Sequence, residues 1–514
     1  MPSTPVMFPQ SSMLSAIGRP RFGATPTVVD QFFCDFRRVF TKNAEYCDAD
    51  NLGVCKPVTR GRIFFPKSGD LPLPGPIVVF CHGKPPAQGC EIPFYRGFDR
   101  LLKCIASSGM IAASIECTNG ENQFARADRI LTQLTRIKSV IASKGVALAG
   151  SEPLALVGHS NGGEAVALAG AAIRSGVIKN SFAAVQAVVQ LSPTYHSGQA
   201  YSLHQYTKNH LVIQAALDGN VVPSQGVRHY EDDFAIAMIK KQGIANSIQS
   251  LVYVLGGSHT GFSDGEWNNA CSAPAFQGDF INPTEHVNML KYLGQSFVVG
   301  AYVAGFLRMA LKNDSALKPW FTGDVIPTFQ HPIADVQTDW NTKGGIHVLH
   351  AEASGTIVLC ASASCAIASG LQVLTQINMS SFSPCHHNRS GFRVEWDRGK
   401  NSSPALVFNF PEINFPTLQN RFLEFDAAQP PGSLVPLEIR VGASPPLNSV
   451  FVPVKVPAQQ FVKSAQNQNM VLTTHRIPMS AFPVTSSSFG AVVISFAKSV
   501  SKGSMLISFP RISL

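Results

Sequence analysis

The stretch LALVGHSNGGEAVALAG, residues 154–170, decides the reading of the chain. Leu154 to Val157 form a short apolar run, the pattern of a buried strand, and GEAVALAGAAIRSG from Gly163 onward reads as a helix with small residues at its start. Between them stands the pentapeptide Gly158-His159-Ser160-Asn161-Gly162. Glycines on either side of Ser160 let the backbone turn sharply and let strand and helix approach, which leaves the serine hydroxyl exposed at the helix N-terminus. The chain holds a second G-x-S-x-G match, Gly261-Phe262-Ser263-Asp264-Gly265. No strand leads into it, and the following EWNNACSAP is no helix start, so Ser263 is read as a loop serine.

Outward from Ser160 the same grammar repeats. PIVVFCHG (76–83), MIAASIE (110–116), AAVQAVVQLSP (183–193), HLVIQAALDG (210–219) and SLVYVLGGSH (250–259) read as further buried strands. Helices are expected over GFDRLLKCIASSG (97–109) and near 227–242. Another is expected where Ala127, Ile130, Leu131, Leu134, Ile137 and Ile141 recur at helical spacing before Gly145. A long helix is expected over 282–311, with Asn282 as N-cap, Pro283 at N1 and Glu285 at N3. Strands alternating with helices imply crossover connections and a doubly wound, mostly parallel α/β sheet.

After about residue 324 the pattern changes. GIHVLHA (345–351), GTIVLC (355–360), GFRVEW (391–396), ALVFNF (405–410), RFLEFD (421–426), PLEIRV (436–441), VFVPV (450–454), GAVVISF (490–496) and SMLISF (504–509) are short and β-rich, with turn residues between them. They predict an all-β sandwich of the jelly-roll kind. The expected organisation is an N-terminal segment over 1–29, an α/β domain over 30–324 and a β-sandwich over 325–514. Apolar residues crowd together in the long helix at Phe297, Val298, Val299, Tyr302, Val303, Phe306 and Leu307. That crowding predicts that the β part docks against it.

Composition narrows the classes. The 514 residues are 45% hydrophobic and 14% charged, which suits a chain with a large core. The net charge is +9, but the 41 basic residues are scattered with no run of five, so nucleic acid is not an expected partner. No run reaches the roughly 18 apolar residues of a membrane span; the nearest, 297–307, is flanked by Gln295 and Arg308. The first 29 residues lack the apolar core of a secretory signal; they contain no Asp or Glu and carry Arg19 and Arg21. That suits an organellar transit segment or a plain tail, and leaves the compartment open. Eleven cysteines leave at least one without a partner inside the chain; Cys47 with Cys55, and two of Cys360, Cys365 and Cys385, are candidate bridges. The spacing matches no zinc site, and Cys385-His386-His387 is expected to be a loop, since three adjacent residues do not converge on one ion. Neither a metal nor a cofactor is expected, and the oligomeric state is not set by the sequence.

A serine hydroxyl at neutral pH needs a base beside it, and the base needs an orienting acid. Asp218 follows the strand at 210–216 and His259 the strand at 250–255, both at the carboxyl ends of predicted parallel strands, where such sheets build sites. The order Ser160, Asp218, His259 is the order this architecture requires. Asp232, Asp233 and Asp264 are the alternative acids. Two N–H donors are needed for a tetrahedral oxyanion; Asn161, directly after the serine, and Lys84, in the loop after IVVFCHG, are the candidates. His82 is expected to shape that loop by packing or hydrogen bonding and has no assigned catalytic role.

Together VVFCHG, VGHSNGGEAV, LDGNVVP and GGSHTGF resemble an α/β-hydrolase of the branch that holds dienelactone hydrolases, cutinase-like polyester hydrolases and chlorophyllases. The likeness covers roughly residues 63–312. It implies a Ser160–His259–Asp218 triad and cofactor-free ester hydrolysis through an acyl-enzyme. Asn161 stands where chlorophyllases typically carry arginine, and the compact members of the branch lack a β part of this size. The expected substrate is a small-molecule or polymeric ester. A chlorophyllase-like or lipid-directed esterase is the alternative within enzymes. The alternative of another class is a surface- or glycan-binding protein with a vestigial hydrolase half. Tyr195, His196 and Phe262 are candidate pocket residues, and Glu116, Cys117 and Asn119 candidate pocket wall. Trp267, Trp320, Trp340 and Trp396 are expected in the core or at an interface.

Overall fold

The structure is a computed structural model. It describes most of residues 34–322, leaving out 40–43, 48–58, 69–70, 85–92, 119, 177–184, 197–208, 217, 222–224, 233–247 and 265–291. Between 345 and 513 it describes the strands and a few adjoining residues. The predicted elements at 1–29 and 282–291, together with Asn119, Asp233, Trp267, Trp340, Cys55, Cys360, Cys365 and Cys385 to His387, lie outside the described residues.

A nine-stranded sheet forms the centre of the first part. Its strands are β1 (Ala44–Tyr46), β2 (Gly61–Phe64), β3 (Ile77–Cys81), β4 (Ile111–Ile115), β5 (Leu154–His159), β6 (Val185–Leu191), β7 (Asn209–Ala215), β8 (Ile248–Leu255) and β9 (Gly345–Glu352). They lie side by side in the order β1-β2-β4-β3-β5-β6-β7-β8-β9. From β4 across to β8 every neighbouring pair is parallel, and the pairs at both edges are antiparallel. The strands read as continuous apolar runs because helices cover both faces. In β3, Val78 and Phe80 face one core, shared with α1 (Asp99–Ser107) and α4 (Tyr292–Lys312). Ile77, Val79 and Cys81 face the other, shared with α2 (Gln123–Ser143) and α3 (Asn161–Arg174). The Asn122 side chain caps α2 by accepting from the Ala125 N–H at 3.0 Å, and Gly145 at φ 76° lies just beyond its end.

Three features differ from the sequence reading or were invisible to it. The segment GIHVLHA, expected among the strands of the β part, lies with Glu352 in β9, all eight residues of which pair antiparallel with β8. The apolar girth of α4 is covered within the first part. Tyr302 and Phe306 meet Phe321, Tyr302 also meets Trp320, and α1 lies alongside. The stretch 294–312 is long and apolar enough to cross a membrane, the one such helix among the described residues, yet 83% of it is buried in this core. Finally, Cys34 and Cys104 form a disulfide that ties the chain before β1 to α1, pressed against Gly300 of α4. Cys47 is disulfide-bonded as well.

The second part consists of two antiparallel sheets. One holds Ile357–Val358, Val373–Asn378, Ser390–Asp397, Phe422–Ala428, Thr473–Pro478, Lys502–Ser508 and Arg511–Ser513; the other holds Ala366–Ser369, Ala405–Asn414, Val435–Gly442, Val452–Val456 and Ser488–Phe496. Phe392, Trp396, Leu423 and Phe425 of the first share a single apolar core with Leu406, Phe408, Ile439 and Ile494 of the second. Trp320 and Trp396 are both buried. On the first sheet Arg511 pairs with Glu424 at 3.0 Å and Asp426 at 2.9 Å, all three inaccessible to solvent. Strand Thr473–Pro478 of that sheet touches β9, so the two parts meet at the edge of the large sheet.

Candidate active site

Ser160 sits at the turn from β5 into α3 with φ 56° and ψ −126°, a conformation that L-residues rarely adopt. The glycines around it are required by close approach. A Cβ on Gly158 would lie 2.2 Å from the Gly162 carbonyl oxygen, and one on Gly162 2.2 Å from that of Cys81. The turn is also bonded in place. The Ser160 N–H donates to Leu191 O at 3.0 Å, and Ser160 O accepts from Gly163, Glu164 and Thr194. Asn161 is the first residue of α3, so its N–H precedes the intrahelical ladder. Gly83 lies directly against the serine: a Cβ there would stand 2.6 Å from Ser160 Cβ and 3.2 Å from its Oγ. Lys84 follows and is exposed.

Asp218 and His259 come together at the carboxyl ends of β7 and β8. His259 Nδ1 donates to Asp218 Oδ2 at 2.9 Å, and both side chains are buried. The carboxylate is held from both ends: Oδ1 accepts from the N–H groups of Asn220 and Val221 at 3.0 and 2.8 Å, and Oδ2 also from Gln214 Nε2 at 3.3 Å. The other described acids point elsewhere. Asp232 accepts from the Tyr195 hydroxyl at 2.8 Å, and Asp264 accepts from the Arg100 N–H at 3.3 Å. Ser263 ends a short 3-10 turn in ordinary extended geometry, and its hydroxyl donates to Thr260 O at 2.7 Å.

The pocket candidates scatter. Phe262 is buried with its ring 5.4 Å from that of His159. Tyr195 is half-buried and engaged with Asp232, whose charge joins desolvation in raising the phenol pKa. His196 is exposed, its N–H donating to Glu164. Glu116 and Cys117 are both buried beneath the Gly83 loop. Glu116 accepts from the Tyr95 N–H at 3.2 Å, and desolvation pushes its carboxyl up to about 7. Cys117 Sγ lies 3.5 Å from Cys81 Sγ, both as free thiols.

Three residues that the sequence reading passed over surround the site. His159, buried, packs its ring against that of His259, with centroids 4.5 Å apart and the planes tilted by 42°. Glu164, one turn into α3, accepts from Thr194 Oγ1 at 2.9 Å and from the His196 N–H, fastening that loop to the elbow. Arg126 of α2 is 0% exposed and donates to the carbonyls of His82, Thr118 and Glu121. A charged residue inside an otherwise apolar helical stripe was the available signal for both Arg126 and Glu164. Among the described residues no group of three or more His, Cys, Asp or Glu side chains is placed to hold a metal ion.

No family model matches the chain, and no curated protein matches it either.

Proposed function

We propose that the protein is a serine hydrolase of carboxylic esters, built on an α/β-hydrolase scaffold. The observation that carries this reading is the strained Ser160 turn between β5 and α3, together with the 2.9 Å His259–Asp218 pair at the ends of β7 and β8. A largely parallel sheet covered by helices on both faces supports the same scaffold. With Nδ1–H committed to Asp218, the basic nitrogen of His259 is Nε2. In the first half-reaction Ser160 Oγ attacks the ester carbonyl and Nε2 takes the hydroxyl proton. The oxyanion is held by the N–H groups of Asn161 and Lys84. Collapse breaks the ester C–O bond, and the imidazolium returns the proton to the leaving alcohol. Water then attacks the acyl-enzyme with His259 again as base, which releases the carboxylic acid and restores Ser160. Asp218 keeps the ring in the useful tautomer and stabilises its charged form.

The test is covalent. Incubation with p-nitrophenyl acetate is expected to give steady turnover, and a fluorophosphonate is expected to label one residue, Ser160, by mass spectrometry. A folded protein with neither turnover nor label overturns the reading.

A further inference from the structure

The loop that brings Gly83 against Ser160 is held from behind by two buried side chains. His82 Nε2 lies 2.9 Å from the Cys117 N–H, and its Nδ1 lies 2.8 Å from Gly83 O. A backbone N–H can only donate and a carbonyl can only accept, so the ring must be the neutral tautomer protonated at Nδ1. Burial and the neighbouring Arg126 guanidinium keep it so, lowering its pKa to about 3. The preceding carbonyl is held too: Arg126 Nη1 donates to His82 O at 3.0 Å. Among the described residues Arg126 forms no ion pair; it bonds the backbone carbonyls of His82, Thr118 and Glu121 and also meets the buried Cys81 thiol. A buried guanidinium is costly to desolvate, and here three of its N–H groups are committed to fixing backbone carbonyls.

What these bonds fix is two successive peptide planes. In a trans peptide the N–H is antiparallel to the carbonyl of the same plane. A donor that pins Gly83 O therefore also sets the direction of the Lys84 N–H, and one that pins His82 O sets that of Gly83. We infer that His82 and Arg126 are positioning residues, which together hold the Gly83–Lys84 peptide so that the Lys84 N–H faces the oxyanion of the Ser160 reaction. The inference rests on the ester-hydrolase reading and deepens it. A donor already aimed at the site needs no reorganisation when the negative charge develops. His82 and Arg126 touch neither substrate nor nucleophile; they act through the peptide.

Full-length variants separate this role from plain packing. His82→Phe keeps a ring of similar size and removes both hydrogen bonds. His82→Asn retains an N–H donor near the Nδ1 position. Arg126→Met keeps length without donors, and Arg126→Lys keeps the charge with a single ammonium. With p-nitrophenyl esters, His82→Phe and Arg126→Met are expected to lose about 10- to 100-fold in kcat with KM within about 3-fold, the pattern of an interaction made only in the transition state. His82→Asn and Arg126→Lys are expected to recover at least part of that loss. If His82→Phe or Arg126→Met fails to fold, the same comparison is read from the Asn and Lys variants against wild type. Folded variants with unchanged kcat, or a His82→Asn protein no better than a folded His82→Phe, overturn the inference and leave the hydrolase reading intact. A wild-type chain without turnover or Ser160 labelling overturns both.

Discussion

The ring Nε2 of His159 donates a hydrogen bond to the backbone carbonyl of His259 at 3.1 Å. The residue directly before Ser160 thus holds the main chain of the candidate base, and the two imidazoles pack together at a 42° tilt. Phe98 and Phe262 close the sides of the His159 ring at 5.4 Å each. Replacing His159 by Leu removes both the bond and the ring contact, and is expected to lower kcat about 10- to 100-fold, because small displacements of a catalytic group are expensive in rate. His159→Gln, which can still donate near the Nε2 position, should lose less. Equal kcat values for wild type and the Leu variant would show that His259 needs no such hold.

Ser160→Ala should reduce ester turnover by on the order of 10⁴-fold or more, while Ser263→Ala stays near wild type. Of the two, only Ser160 has the positive φ and the strand-to-helix context. Asp218→Asn should be similarly crippled, since an amide in that place favours the wrong imidazole tautomer. Adding either change to Ser160→Ala should cost little more, because the three groups act as a unit. Turnover that survives Ser160→Ala and vanishes in Ser263→Ala would reverse the assignment.

The elbow was legible because it is local. Two glycines, an apolar run before them and small residues after them fix strand, turn and helix within a single stretch, and Asp218 and His259 announced themselves at strand ends. What was not legible depends on partners distant in sequence. The pairing of β9 with β8 joins residues 90 to 104 positions apart, and nothing in GIHVLHA says which sheet it will extend. The cover of α4 by Trp320 and Phe321 was likewise invisible, so its apolar girth pointed to the wrong neighbour. Arg126 was passed over, although it shares the buried stripe of α2 with Ile130, Gln133 and Ile137 and its guanidinium lies inside the protein.

Buried ionisable groups give the fold opposing pH dependences. Desolvation raises Glu116 to about 7 and Asp264 to about 7, so both favour the neutral carboxyl when folded. Their contribution is complete below the unfolded carboxylate range near pH 4 and is lost as pH rises through 7. Glu116→Gln, which stays neutral, should therefore raise the Tm at pH 8 relative to wild type, by the equivalent of up to about 3 kcal/mol for a carboxyl raised from 4.5 to about 7. The gain should shrink towards pH 4. The lowered pKa values of His82 and His159 act on the acid side. Their stability is present above the unfolded histidine range near 6.5 and is lost progressively as pH falls towards the folded values. A Glu116→Gln protein less stable than wild type at pH 8 would show that the carboxylate is better accommodated than its burial implies.

The Cys34–Cys104 bridge closes a loop across 70 positions of sequence. Cys34→Ser should lower stability by about 2–5 kcal/mol, the usual range for a native disulfide. Ester turnover at low temperature should survive, since the bridge lies at α1 and away from the Ser160 turn. Free thiol titration of the unfolded wild type, before and after reduction, would check that the bond forms. An unchanged Tm in Cys34→Ser would mean that packing of α1 against α4 already restrains this region.

A fragment ending at residue 323 retains Ser160, Asp218 and His259, with every strand from β1 to β8. It loses β9 and so exposes the whole edge of β8, eight residues of which Leu251, Val252, Tyr253 and Val254 are buried in the intact chain. A long apolar edge strand with open N–H and C=O groups is a template for pairing with another copy. The 1–323 fragment should associate into dimers or larger aggregates on size-exclusion chromatography. A 1–353 fragment, which restores the β8–β9 pair, should be more soluble and more nearly monomeric. Both should label at Ser160 with a fluorophosphonate if folded. Equal solubility of the two fragments would mean that the edge is protected by something other than β9. Greater aggregation of the longer fragment would mean that β9, uncovered by its neighbour strand Thr473–Pro478, is the stickier edge.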